Sequence, residues 1–470
     1  MHKDLEQAMR GLVEQNKTPI QMRLELLQKG FLEEEVDTAL NDRSQKQHSS
    51  ADKKTNRQLA TKEAFDRLGY GFATPQFINI LFWMSGASVF LVGLLNGIKA
   101  ILQLVISSVL QEYSKLHTVP KERIASGGLV FGFSFFIMAI ATLAMIPWLF
   151  AAGFLLGSLG VVTYGDLYNK LIKELISHEK RTHFLRNSAM YGVIITGISM
   201  LLSATIIDNI PGIMLTIGNF PLKVHGFLLS FMITSFAFIL GSFVLSKIPD
   251  PREQKVYPFA KFFGEHCKTI WNQTKVFMRN KYVLFMLLPA IVSGFLQILG
   301  AAYYGIFIYE HFNKIYFGGF MNVAILYIVA LIFSLFGPLF TKLVEKNTGL
   351  APHLVFGTLL TAILPLVLAK NPHFYAVMAA LVCSVVGASI AGTAQGLIAQ
   401  KIMDFSTRKV FFVTQALLVA IPYMIMFPLG AWFASTYGFT ILFMAIGIGL
   451  AAVVAPLYFV LVLITNKMRL

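Results

Sequence analysis

Residue patterns that usually carry chemistry are thin in this chain. His178-Glu179 followed by His183 comes near a zinc-protease motif but has one residue too many. Histidines five apart sit about 140° apart around a helix, so they cannot share a metal as an i, i+4 pair does. Gly447-Ile448-Gly449 followed by Ala452 mimics a dinucleotide fingerprint. It lies in an apolar run with no strand before it, which points to close helix packing instead. There is no nucleophile elbow and no phosphate-binding loop. Cys267 and Cys383 are the only cysteines, too few for a disulfide scaffold or a cysteine-rich metal site. The expectation is a chain that is not an enzyme and not an ATP-driven pump, with no cofactor and no metal.

Composition says what surrounds those residues. The 470 residues are 56% hydrophobic and only 13% charged, with a formal net charge of +15. A soluble domain carries roughly a quarter charged residues. Residues 1–72 are rich in both signs and balance to zero, so the whole basic excess belongs to the apolar region 73–470. A basic excess placed in lipid-compatible sequence argues against a nucleic-acid partner. The polar start Met1-His2-Lys3-Asp4-Leu5-Glu6 predicts no cleaved signal peptide.

Twelve apolar runs can span a bilayer, which takes about 20 residues each: 77–95, 97–113, 124–145, 147–167, 188–207, 224–247, 283–308, 317–340, 352–369, 374–400, 410–434 and 438–464. Backbone groups cannot go unpaired in lipid, so these runs are expected to be helices. The first two share one stretch, and a tight turn at Asn96-Gly97 is expected to separate them. With both termini inside, all but four of the 39 Lys and Arg residues fall on the cytoplasmic face; Lys99, Lys223, Lys314 and Lys370 remain outside. The positive-inside rule therefore supports an integral, multi-pass chain with both ends cytoplasmic.

The fold class that follows is an all-α membrane protein, a 6+6 helix bundle with a small cytoplasmic helical module ahead of it. The module, 1–42, reads as three short helices and loosely resembles UBA-like modules, with an unknown protein partner as its natural use. Residues 43–72 read as a polar linker, largely a disordered tether. Residues 73–247 form one six-helix half and 283–470 the other. Between them 248–282 carries aromatic residues at helical spacing opposite Lys261, Lys268 and Lys275, the pattern of a surface helix drawn to anionic lipid at 256–282.

Ser108, three spacers, Glu112 and then Lys115 close the second run; Gly337, three spacers, Thr341 and then Lys342 close the eighth. Together with two sets of six helices, this resembles the major facilitator superfamily over residues 73–470. Pro428-Leu429-Gly430 and Tyr437-Gly438-Phe439 look like that family's corner between helices 11 and 12. The signature is degraded: Ser108 stands for Gly, Glu112 for Asp, Tyr113 for Arg and Thr341 for a second Asp. The resemblance implies a cytoplasmic gate at Ser108, Glu112, Lys115, Asp166, Lys170, Gly337, Thr341 and Lys342, with Glu112 as latch and Lys170 as partner of Asp166. It also implies a cavity lined by helices 1, 4, 7 and 10. Those helices carry Asn79, Ser85 and Ser88; Ser158, Thr163 and Tyr164; Ser293, Gln297, Tyr303 and Tyr304; and Ser384, Ser389, Thr393 and Gln395.

No Asp, Glu, Lys, Arg or His falls near the middle of these twelve runs. Buried charge costs about 2.5–3.5 kcal/mol even on a lenient insertion scale. The expectation is a secondary active or facilitative transporter of a small neutral or amphipathic solute. The alternatives are a proton-coupled drug exporter using Glu112 or Asp166, a transport-inactive receptor or scaffold acting through 1–42, and a lipid scramblase. The helix-5 region 191–204 lacks the Pro of the family's antiporter signature, which weighs against the exporter.

Overall fold

A computed structural model describes Leu26 and residues 54–116, 119–176, 178–210, 212–217, 220–250, 261–264, 268, 272, 281–336, 339, 351–370, 372–402, 414–415, 418 and 429–467. Residues 1–61 and 62–470 form two compact units. Of the first, the structure describes Leu26 and the helical residues 54–61, so the expected module at 1–42 lies outside the described residues.

The chain runs as α1 (54–72), then α2 (Pro75–Met84), α3 (Val89–Leu116), α4 (Lys121–Ala144), α5 (Pro147–Leu175) and α6 (His178–Asn209). Strands β1 (Ile213–Ile217) and β2 (Phe220–Val224) follow, and α7 (Gly226–Ser246) closes the first half. The second half holds α8 (Lys281–Phe312), α9 (Gly319–Ser334), α10 (Ala351–Leu368) and α11 (Phe374–Ile402). Its last two spans are α12 (429–437) and α13 (Phe439–Ile448), which passes through a π-turn at Gly449–Val454 into α14 (Ala455–Lys467). Eight of the described helices are long and apolar enough to cross a membrane unaided.

Two expectations are corrected at the start of the bundle. Helix α3 passes unbroken through Asn96-Gly97. Asn96 Nδ2 donates to the Val92 carbonyl one turn back and to Asn79 Oδ1, so its amide is used inside the helix. The reversal lies ten residues earlier, at Ser85–Ser88. Gly86 there takes φ 93°, a conformation a side chain resists, and the Ser88 hydroxyl accepts from the Leu91 N–H to start α3.

The expected polar linker at 43–72 is helical from residue 54, and α1 with α2 makes one composite first span. Pro75 forces Thr74 into extended backbone, and the Thr74 hydroxyl then caps α2 through the Phe77 N–H. The break frees carbonyls that lipid cannot satisfy. Ser203 takes one, donating to Phe72 O at 2.8 Å. Thr196 and Thr234 add bonds to Arg67 O and Gly69 O, the latter already serving the Ala73 N–H.

Each half then packs as a helical bundle. In the first, Phe131, Phe135 and Phe238 interlock with Tyr70 and Phe231, while Phe150 stacks on Phe82. In the second, α10 and α11 cross where Gly357 and Gly387 face each other's carbonyls; a Cβ on either would strike backbone. Gly387 is thus a close-packing position, whereas Gly392 and Gly396 have open space beside them. Gly447 and Gly449 abut Leu366 and Leu296, as the helix-packing reading requires.

The β-hairpin is the exception to an all-α fold. Its strands are antiparallel, with Ile213 opposite Val224 and Ile217 opposite Phe220. It marks one end of the bundle, the hairpin end; the close of α7 at Ser246 and the start of α8 at Lys281 mark the other, the linker end, named for the segment 248–282 between them. Most of that segment lies outside the described residues, but Phe262 is buried with its ring 5.3 Å from that of Tyr113 on α3.

Candidate functional site

Two features of the body stand out, and the charged pair of the first lies outside the residues singled out in the sequence. On α1, Lys62 Nζ lies 2.6 Å from Asp66 Oδ2, with both side chains almost wholly buried. Tyr164 on α5 donates to Asp66 Oδ1 at 2.7 Å. The ammonium also sits over the rings of Tyr164 and Tyr168, 4.4 Å from the first centroid. Glu63 on the next face pairs with Arg67 at 3.7 Å and accepts from Ser188 on α6. Gly241 on α7 leaves room for the Asp66 carboxylate, since a Cβ there would meet Oδ1 at 2.9 Å.

The sequence carried a signal for this cluster in Lys62/Asp66 and Glu63/Arg67, two i, i+4 pairs on the stretch 54–72 that also holds Leu59, Phe65 and Tyr70. Burial explains why the cluster matters. An unpaired charge away from water costs several kcal/mol, so the pair and its tyrosine donors stand or fall together. The cluster lies ahead of the first predicted run, in a segment expected to be a linker. Lys99, expected in an outer connection, lies inside α3, with its ammonium 4.9 Å from the Phe154 ring.

The second feature is the contact between the halves at the hairpin end. Asn79 Nδ2 on α2 donates to Ala302 O on α8 at 3.2 Å. Tyr303, fully buried, donates to Val89 O at the start of α3, against Gly93. Asp208 on α6 accepts from the Phe320 and Met321 N–H groups of α9, each at 2.9 Å.

The predicted cavity residues divide between these features and private bonds. Asn79 and Tyr303 belong to the contact between halves, and Tyr164 to the ionic cluster. Ser85 caps the end of α2 through Leu81 O. Ser158 and Thr163 bond back to Phe154 O and Gly160 O in their own helix, and Thr393 to Ser389 O. Tyr304 packs its ring 5.2 Å from Phe443. Two amide groups lie well inside the second half: Gln297 donates to Ser293 Oγ at 2.9 Å, and Gln395 on α11 donates to Gln415 Oε1 at 3.1 Å.

Of the predicted gate, the side chains of Ser108, Glu112, Lys115 and Asp166, and the residues Gly337, Thr341 and Lys342, lie outside the described residues. Lys170 is paired with Glu174 at 3.3 Å. Among the described residues no group of three His, Cys, Asp or Glu side chains is arranged to hold a metal ion.

No family model and no curated protein matches this chain. Solved structures do. A variant of the nucleoside transporter NupG superposes with a TM-score of 0.67 at 12% identity, covering 87% of this chain and 99% of that one. A bacterial homologue of the iron transporter ferroportin in an inward-facing state gives 0.62 at 14% identity, covering 87% and 98%. A bacterial homologue of the lysosomal transporter Spinster, also inward-facing, gives 0.58 at 14%, covering 87% and 97%. Shared shape over whole chains at such low identity establishes the fold, and apolar helices of this length establish the setting. The chain is a multi-pass integral membrane protein built on the major facilitator fold.

Proposed function

We propose that this protein is a secondary transporter that works by alternating access, with its hairpin end closed and its linker end turned to the cytoplasm. The observation that carries the reading is the set of bonds joining the two halves at the hairpin end: Asn79 to Ala302, Tyr303 to Val89 and Asp208 to α9. In a bundle whose halves rock about a midplane site, closure at one end accompanies access from the other. The inward-facing states named for the ferroportin and Spinster homologues agree with it. The basic residues that the sequence gathers on the linker side support this orientation, with both termini inside.

The solute of this reading is small and neutral or amphipathic. The Ser293–Gln297 and Gln395–Gln415 pairs offer amides and hydroxyls in place of a charged recognition group. Proton coupling is the second reading, and the observation favouring it is the buried Lys62–Asp66–Tyr164 cluster rather than Glu112 or Asp166. A buried carboxylate beside an ammonium can exchange a proton and change what its helix packs against. Segment 256–282 as a lipid-binding surface and 1–42 as a protein-binding module complete the proposal.

The test is reconstitution into proteoliposomes, with counterflow measured for nucleosides, small peptides and divalent metals, the classes named for the structural neighbours, and for neutral amphipathic solutes. Saturable counterflow of a neutral amphipathic class supports the reading. Loss of uptake with a protonophore adds the coupling. A solute that raises the melting temperature yet never crosses the bilayer would sink the transporter reading in favour of a receptor.

A further inference from the structure

At the hairpin end, helix α9 begins without a cap of its own. Its N-cap residue is Gly318, which has no side chain, and its first residue is Gly319. The early N–H groups of a helix have no partner within it, and its dipole places partial positive charge there. Asp208, at the end of α6 in the other half, fills that vacancy. Its Oδ1 accepts from Phe320 N–H and its Oδ2 from Met321 N–H, both at 2.9 Å.

The surroundings are fitted to this contact. Gly319 has φ 36°, and a Cβ there would collide with the Asp208 carboxylate. Phe320 is buried among Phe77 and Phe227 of the first half and Tyr309 of the second, with ring centroids 5.3, 5.7 and 4.9 Å away. Asp208 itself is exposed, so the rings hold the first turn of α9 in place while the charge-assisted bond stays within reach of water.

We propose that Asp208 is the latch of the hairpin-end gate: it caps α9 across the interface between halves, and the hairpin end opens only when this cap lets go. The inference rests on the alternating-access reading and adds to it a named conformational switch. Removing a helix cap costs about 0.5–2 kcal/mol, so losing the carboxylate raises the open population roughly two- to thirtyfold.

The reporter is Ala302→Cys in a chain carrying Cys267→Ser and Cys383→Ser. Ala302 is buried, and its carbonyl is part of the closed contact. A membrane-impermeant maleimide is applied from the hairpin side of proteoliposomes. Asp208→Ala raises the labelling rate two- to thirtyfold. Asp208→Asn raises it less, because the amide oxygen still accepts one bond. Gly319→Ala raises it by displacing the carboxylate, and adds nothing on top of Asp208→Ala, because both break the same contact. Unchanged labelling in a monodisperse Asp208→Ala overturns the latch. If that variant does not fold, unchanged labelling in both Asp208→Asn and Gly319→Ala overturns it equally.

A second reporter, Gly392→Cys, labelled from the linker side, separates the latch from the reading beneath it; Gly392 has open space beside it in this state. A rise at position 302 with no fall at 392 keeps the latch and removes the rocking motion. No rise at 302 removes the latch and leaves the rocking motion standing.

Discussion

Splitting the Lys62–Asp66 pair is the perturbation whose size follows most directly from the structure. The lysine side chain is fully buried and the aspartate nearly so, 2.6 Å apart. Deleting one partner strands the other, and such losses run about 3–5 kcal/mol. The two single changes leave different groups behind. Lys62→Met leaves a carboxylate that still accepts from Tyr164 and can take up a proton. Asp66→Ala leaves an amine over two tyrosine rings, with Glu63 at 3.9 Å, that can lose a proton. Both losses are therefore of the same order, and the double variant Lys62→Met/Asp66→Leu recovers most of either because no charge of the pair remains to solvate. For a six-helix half, each kcal/mol moves the melting temperature by about 2–4 °C, so Asp66→Ala lowers it by roughly 10 °C. Thermal unfolding of the purified protein, read as a double-mutant cycle, measures this. Single variants within about 2 °C of the parent, or a double variant as damaged as the sum of its parts, would refute the account of a desolvated and mutually dependent pair.

Three further outcomes follow from the same physics. Ser203→Val removes the hydroxyl that serves the Phe72 carbonyl at the α1–α2 break and lowers stability by about 1–3 kcal/mol, seen as a lower melting temperature, while Ser203→Thr keeps most of it. Gly387→Leu drives a side chain into the backbone of α10 at Gly357 and abolishes a folded, monodisperse species on gel filtration, whereas Gly392→Leu is tolerated. Gly86→Val forces a β-branched residue into positive φ at the first reversal and costs about 1–3 kcal/mol, while Ser88→Ala costs about 1 kcal/mol through its lost cap; both are read in the same unfolding assay.

Much of the frame could be read before folding because lipid imposes it. The runs expected at 124–145 and 374–400 fall within a few residues of α4 and α11, since only an uninterrupted apolar helix satisfies its backbone in a bilayer. The same logic failed at the start of the bundle. The stretch beginning at Phe77 is apolar enough for two spans, and Asn96-Gly97 is a strong turn signal, so the first helix was placed too late. Hydropathy counts every charge as a penalty and misses that paired charges neutralise one another, and the first span is built in part from Lys62, Glu63, Asp66 and Arg67. The hairpin has a local signal in the sequence, two apolar runs separated by Gly218-Asn219, which an all-α reading does not use.

The site was less legible than the fold. Tyr164 was singled out for cavity lining, but its partner Asp66 lies 98 residues away and in a segment assigned to a tether. Asp208 carries no local sign of a partner, because the N–H groups it serves are more than a hundred residues further along. Long-range pairing of this kind is set by how helices cross, and a single sequence states the faces of helices without stating which faces meet.

The central claim is that the two halves rock against each other, closed here at the hairpin end. Spin labels at Trp148→Cys and Tyr375→Cys, exposed positions near that end in opposite halves, report it directly. Pulsed electron resonance in lipid nanodiscs is predicted to give a short dominant distance and a longer minor one, with the longer population growing when Asp208 is replaced by Ala. A single distance that stays fixed in the parent and in Asp208→Ala would contradict the account.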